Sequence, residues 1–327
     1  FYSHCFVIIM SNINRFSSLV CSDKYMNNIS LCIDNNRNVF SVGYSNNGAH
    51  GCENYSKVTF QQIQELSNIK YISAGYHHTI CIDYNGNIYS FGRNDNGQLG
   101  NDYELKHTHI PQKINIPPCK QVSCGSNFSM CLTEDNRLYS FGINKYGQLG
   151  LGNNKSYNSP QLIPDFNDIE YMVCGGSHSI CKTYNNYFYS WGYNGYGQLG
   201  QGNNDDCNKP IQCNNWPDNI IDIKSGSRYV LLLSEGGQVY SFGNNNGGQL
   251  GLNDKDIESI NIPTLINTLP SIRRIYCGFT YSLLIDNQNY LWVFGQNTYG
   301  QLGTGDTEHI YQPIKHSMDN ILDVSSR

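Results

Sequence analysis

The chain is built from short runs of polar and apolar residues separated by glycine, asparagine and proline. Tyr71-Ile72-Ser73-Ala74-Gly75 predicts a short strand that stops at a glycine, and Tyr76-His77 turns the corner. His78-Thr79-Ile80-Cys81-Ile82-Asp83 alternates and predicts a second strand. Tyr84-Asn85-Gly86-Asn87 carries Asn-Gly, the signal of a type I′ hairpin whose central residues accept positive φ. Ile88-Tyr89-Ser90-Phe91 predicts a third strand ended by Gly92. A glycine-rich loop, Asn94 to Gly100, follows, then a polar stretch marked by Pro111 with room for a fourth, edge strand before Cys119. No window of about a dozen residues shows a 3.6-residue period, so the expectation is all-β.

The same grammar recurs. Tyr89 to Gly100 reads YSFGRNDNGQLG, and parallel words run Tyr139 to Gly150, Tyr189 to Gly200, Tyr240 to Gly251 and Trp292 to Gly303. A worn copy, FSVGYSNNGAHG, spans Phe40 to Gly51. The glycine after the aromatic steps by 49, 50, 50, 51 and 52 residues. Units of this length with four antiparallel strands are propeller blades. The paired glycines of each word are Gly92 and Gly100, Gly142 and Gly150, Gly192 and Gly200, Gly243 and Gly251, Gly295 and Gly303. They are expected at chain reversals or close backbone approaches that a Cβ would block. Leu99, Leu149, Leu199, Leu250 and Leu302 are lone apolar residues in polar loops and are expected to anchor them. The proline slot recurs as Pro111, Pro160, Pro210, Pro263 and Pro313.

Composition narrows the function. Charged residues are 14% of the 327, and the net charge is -5 without blocks of one sign. That disfavours a dominant electrostatic grip on nucleic acid, which needs a basic face. Of the 13 cysteines, seven sit in two repeat slots: Cys32, Cys81, Cys131 and Cys181 share one, and Cys124, Cys174 and Cys277 another. Equivalent slots predict equivalent packing sites, so these read as reduced, buried, apolar residues of an intracellular protein. There is no CxxC pair to hold zinc. Cys5 to Met10 is an apolar run too short for a membrane span.

Catalytic motifs are weak. Gly195-Tyr196-Gly197-Gln198-Leu199-Gly200 matches GxGxxG, but Gln201-Gly202-Asn203-Asn204 continues as loop where a dinucleotide site needs a helix. His78 and His178 share one slot two units apart and cannot form a single site; they read as hydrogen-bonded residues at strand starts. His107 and His109 lack a third ligand partner. No cofactor, metal or small-molecule substrate is expected. The informative positions are those that vary inside the fixed word: Arg93, Asp95, Lys145, Tyr146, Tyr193, Tyr196 and Tyr299, with Arg228 in the turn slot. A ring of units would line them along a rim, where variable loops on a rigid scaffold carry recognition.

The FGxNxxGQLG loop and the strand-turn word, standing as Ile72-Ser73-Ala74-Gly75-Tyr76-His77-His78-Thr79 and Cys174-Gly175-Gly176-Ser177-His178-Ser179, resemble the regulator of chromosome condensation repeat family. The resemblance covers Val20 to Arg327 and implies a seven-bladed β-propeller. Six words are present, so the expectation is a seven-bladed ring with its seventh blade incomplete. Repeats are placed at about 20–69, 70–119, 120–169, 170–220, 221–272 and 273–321, with a stub at 322–327 and a segment 1–19 that closes the ring or stands apart. The resemblance implies a non-catalytic interaction propeller, monomeric, with protein partners. The alternatives are nucleotide exchange on a Ran-type small GTPase, or the substrate-binding propeller of a larger ubiquitin-ligase or kinase chain. The family's exchange factor carries an insertion between strands for which uniform steps leave little room. The tryptophan word of the family's ultraviolet photoreceptors is absent, since Trp191, Trp216 and Trp292 all lie elsewhere.

Overall fold

The computed structural model describes residues 7–10, 16–24, 27–53, 56–102, 106–318 and 321–325. No helix occurs among them; every regular element is a strand. Two compact units are formed. One comprises Arg15–Tyr193 and Asp206–Gln212. The other comprises Phe1–Asn14, Asn194–Asp205 and Cys213–Arg327.

Six antiparallel four-stranded sheets, the blades of a β-propeller, follow one another along the sequence. In each, the strands lie side by side in chain order. The second blade is typical: Ile69–Ala74, His78–Asp83, Ile88–Arg93 and His107–Lys113. The first blade starts at Phe16, and the later ones at Cys119, Ile169, Ile220 and Ile272. Among the described residues the expected seventh blade is not found as a four-stranded sheet. The repeat word supplies strands for six blades. The two strands left over, Val7–Met10 and Ile321–Ser325, pair antiparallel as a two-stranded sheet.

Position in the blade decides exposure. The second strand of the second blade is buried at every residue, and so are its counterparts Phe128–Thr133, Tyr229–Ser234 and Tyr281–Asp286. These strands are buried on both faces, so their polar positions are buried too and must find partners. The fourth strand lies at the sheet edge and is half-exposed. Pro111 falls there, in a register shift between the partners of Ser90 and Gly92. An edge is where a missing N–H costs least.

Within the first unit, Ile29, Leu31, Ile72, Cys81 and Phe91 form one core between blades one and two, and Phe128, Met130, Met172 and Trp191 another between three and four. In the second unit Leu231, Ile275, Leu284 and Phe294 do the same for blades five and six. Full burial of each such side chain contributes about 1.5–3 kcal/mol.

The hairpin at Asn85-Gly86 differs from the type I′ expectation. Asp83 and Asn87 close a three-residue loop through Asp83 N to Asn87 O, 3.0 Å, and Gly86 N donates to Asp83 O, 3.1 Å. Only Gly86 in that loop is left-handed, at φ +79°. The Asp83 carboxylate explains the change. It accepts from the Asn85 and Asn87 backbone N–H groups at 2.9 and 2.8 Å, which stabilises the longer loop.

Candidate functional site

The glycine-rich loop is held by its own asparagine and glutamine. In the second blade Leu99 N donates to Asn94 Oδ1 at 3.0 Å and Asn96 N to Gln98 Oε1 at 2.9 Å. The third, fourth and sixth blades repeat both bonds through Asn144 and Gln148, Asn194 and Gln198, and Asn297 and Gln301. All five anchor leucines are buried. Gly92 has φ +111°, and a Cβ there would lie 2.4 Å from the His77 carbonyl oxygen. A Cβ on Gly100 would meet the Phe141 ring of the next blade at 2.7 Å. The loop backbone is thus pinned at both ends, and only its variable side chains differ between blades.

The strand-turn word has an equally local cause. Gly75 N donates to His78 O at 2.8 Å, and the His78 ring lies over the glycine so closely that a Cβ would sit 2.2 Å from Cε1. Gly125 with Phe128, Gly175 with His178, Gly226 with Tyr229 and Gly278 with Tyr281 repeat the contact. The slot therefore wants a flat ring; whether it is imidazole, phenyl or phenol is secondary.

His78 and His178 are both fully buried. The Ser129 hydroxyl donates to Gln98 O at 2.9 Å, so its only proton is used and His78 Nε2 donates to Ser129 Oγ, 2.9 Å away. Burial lowers the pKa of His178 to about 3, which keeps its imidazole neutral. Burial raises the Cys277 thiol to about 12, and the Cys81 thiol is also pushed up, first by burial. These thiols are far from the thiolate state a nucleophile needs. Among the described residues no group of three or more histidine, cysteine, aspartate or glutamate side chains is placed to hold a metal ion.

The variable positions form specific pairs at the loop end of the blades. In the first unit Arg93 Nε meets Asp95 Oδ2 at 2.5 Å. Tyr146 and Tyr193, from the loops of adjacent blades, lie with ring centroids 4.7 Å apart, and Lys145 Nζ sits 5.1 Å from the Tyr146 centroid. In the second unit Arg228 lies over the Tyr196 ring at 5.0 Å and donates from Nη1 to its hydroxyl at 3.0 Å. Tyr299 takes the equivalent place in the sixth loop and is 44% exposed.

Sequence reasoning missed the opposite end of the blades. There Tyr84, Tyr184 and Tyr187 are exposed on hairpin turns. Arg37 lies 5.2 Å over the Tyr84 ring, and Lys120 bonds the Tyr184 hydroxyl at 3.1 Å. Their turn slot read only as turn-forming.

Comparison with known proteins agrees with this architecture. The model of the RCC1-like domain matches residues 18–218, and that of the regulator of chromosome condensation (RCC1) repeat matches 236–285 and 288–326. The chain is 30% identical to the human regulator of chromosome condensation over 111 residues, 32% of this chain and 26% of that protein. It is 31% identical to human HERC4, described as a probable E3 ubiquitin-protein ligase, over 97 residues, 29% of this chain and 9% of that one. The matched segment is thus a minor part of each relative. Among solved structures, Prp20p of Saccharomyces cerevisiae superposes with TM-score 0.81 at 22% identity, covering 91% of this chain and 76% of that one. Human WBSCR16 superposes with TM-score 0.82 at 21% identity, covering 94% and 83%. These structures share the fold.

Proposed function

The chain belongs to the RCC1-like domain family, and from that premise we propose that it is a protein-binding propeller acting through the loop end of its blades. One observation carries the reading. The loop backbone is fixed by repeated bonds to asparagine and glutamine, while Arg93, Lys145, Tyr146, Tyr193, Tyr196 and Tyr299 change chemistry on that constant frame and Arg228, in the turn slot, bonds Tyr196. Tyrosine and arginine are the residues that most often dominate interface energetics, and preset geometry lowers the entropy cost of binding. The polar positions in the buried strands are occupied by structural bonds, and His178 is neutral and enclosed, so chemistry by these groups is not part of the reading. We place the protein inside the cell, as a monomer that meets its partner through these loops.

A second reading is nucleotide exchange on a small GTPase. Prp20p, whose structure is reported with its binding properties to Gsp1p and histones, supports it. Among the described residues the connections between third and fourth strands, such as the stretches after Gly142, Gly192 and Gly295, are uniform and carry no extended intruding element, which argues against it.

Two measurements test the pair. Affinity capture with the parent chain and with a Tyr193→Ala/Arg228→Ala variant of unchanged circular dichroism should show partners retained only by the parent. Release of a fluorescent GDP analogue from Ran-type GTPases should be unchanged by this chain. Acceleration by several orders of magnitude would replace the binding-only reading with exchange.

A further inference from the structure

The six connections between third and fourth strands differ sharply in charge. The first carries Glu53; the second Asp95, Asp102, Glu104 and Lys106; the fourth Asp205 and Asp206. The fifth carries Asp254, Asp256 and Glu258 around Lys255, and the sixth Asp306 and Glu308. The third, Ile143 to Ser156, carries Lys145 and Lys155 and no acid.

The loop holds the backbones of the two lysines side by side. Asn154 Nδ2 donates to the Lys145 carbonyl at 3.0 Å and Asn144 Nδ2 to the Lys155 carbonyl at 3.0 Å, so the two limbs of the loop are tied. Among the described residues neither ammonium lies within ion-pair distance of a carboxylate. Arg93, Arg137, Lys182 and Lys224, in contrast, each have one. Lys145 and Lys155 instead stand 5.1 and 5.3 Å from the ring centroids of Tyr146 and Tyr157. Beside them the tilted Tyr146–Tyr193 pair offers an aromatic surface.

We infer that the loop of the third blade binds a short acidic segment of a partner protein, two carboxylates meeting Lys145 and Lys155 and an adjoining apolar or aromatic side chain lying on Tyr146 and Tyr193. This rests on the reading of the loop end as an interaction surface. Charge complementarity selects the ligand class. A nucleic acid gains affinity by neutralising a run of phosphates. Here the basic patch is two lysines wide, and Asp102, whose N–H donates to the Asn158 carbonyl of the third blade at 3.2 Å, adds an acid beside it that would repel an extended polyanion. A short peptide stays within the patch.

Fluorescence anisotropy tests it on the whole chain. The probes are a short fluorescein-labelled peptide of aspartate and glutamate around one phenylalanine, the same peptide with asparagine and glutamine, and a labelled oligothymidine. The acidic peptide should bind about tenfold more tightly than its neutral counterpart. It should weaken by a similar factor for Lys145→Gln/Lys155→Gln and keep its affinity for Lys113→Gln/Lys315→Gln, which removes the same charge elsewhere. Equal binding of the two peptides, tighter binding of oligothymidine, or an unaffected Lys145→Gln/Lys155→Gln variant would overturn the assignment. Partner capture that is lost with Tyr193→Ala/Arg228→Ala but kept with Lys145→Gln/Lys155→Gln would leave the interaction surface standing and remove only its acidic ligand.

Discussion

Ser129 Oγ donates to the carbonyl oxygen of Gln98, 2.9 Å away, and so ties the second strand of the third blade to the loop of the second. The tie is general. Ser179 donates to Gln148 O at 2.9 Å, Ser282 to Gln249 O at 3.0 Å, and Thr79 to Ala49 O at 2.8 Å. The serine or threonine of the strand-turn word and the glutamine of the loop word are thus two halves of one inter-blade contact. Even the worn first copy keeps it, through a backbone carbonyl that any residue supplies.

Ser129→Ala strands two buried groups at once, the Gln98 carbonyl and His78 Nε2. The expected loss is about 1–3 kcal/mol of unfolding free energy. Urea titration followed by tyrosine and tryptophan fluorescence measures it; an unchanged midpoint would show that the tie adds nothing.

Leu199 is fully buried, and its N–H is held by Asn194 Oδ1 at 3.0 Å. Leu199→Ala leaves a cavity under a loop that is fixed from above, so relaxation is limited. The expected cost is about 2–5 kcal/mol. A melting temperature equal to that of the parent chain would contradict the anchoring role.

Gly125 and Phe128 form a testable couple, because a Cβ on the glycine would lie 1.9 Å from Phe128 Cε1. Gly125→Ala should destabilise by about 1–3 kcal/mol through overpacking, and Phe128→Ala by about 3–5 kcal/mol through its cavity. The double variant removes the clash. Its loss should fall short of the sum of the singles by about 1 kcal/mol or more. Strict additivity in equilibrium unfolding would show that the ring does not dictate the glycine.

Much of this was legible in the sequence because each repeat writes its constraints locally. Gly92, Leu199 and Pro111 announced a close approach, an anchor and an edge strand, and each stands where its chemistry requires. The number of blades was less legible, since the family pattern of seven is not encoded in any residue of this chain. The Asn85-Gly86 turn misled because Asp83, two residues before Asn85, selects the loop length by capping. Ser129 and Gln98 stand 31 residues apart. Their partnership depends on how blades stack, which no period reveals. The basic loop of the third blade escaped notice because charge was summed over the chain instead of compared slot by slot.

His178 gives a pH dependence with a definite sign. Its pKa is lowered from the ordinary value of 6.5 to about 3 by burial. The unfolded chain therefore binds a proton in the window between those values while the folded chain does not, and stability falls as pH falls. The slope from this group is about 1.4 kcal/mol per pH unit across the window, and its contribution is fully present above 6.5. His178→Phe, placing there the ring that Phe128 provides in the third blade, should remove this part of the acid sensitivity. Urea unfolding at several pH values compares the two chains; parallel curves would show that His178 is not the titrating group.

Arg228 is where stability and recognition should separate. Its guanidinium lies over Tyr196, 5.0 Å from the centroid, and bonds the hydroxyl at 3.0 Å, yet the contact is solvent-exposed. Exposed contacts of this kind are worth about 0.5–1 kcal/mol, so Arg228→Ala should scarcely move the melting temperature. Its value lies in presenting a planar cation and a tyrosine in one preset arrangement. Arg228→Lys keeps the charge but not the plane or the fork of donors. If partners recognise the arrangement, capture should fall for Arg228→Lys nearly as far as for Arg228→Ala. If they recognise charge alone, the lysine variant should capture as the parent does. Capture undiminished in both variants, with the fold intact by circular dichroism, would remove Arg228 from the interaction surface.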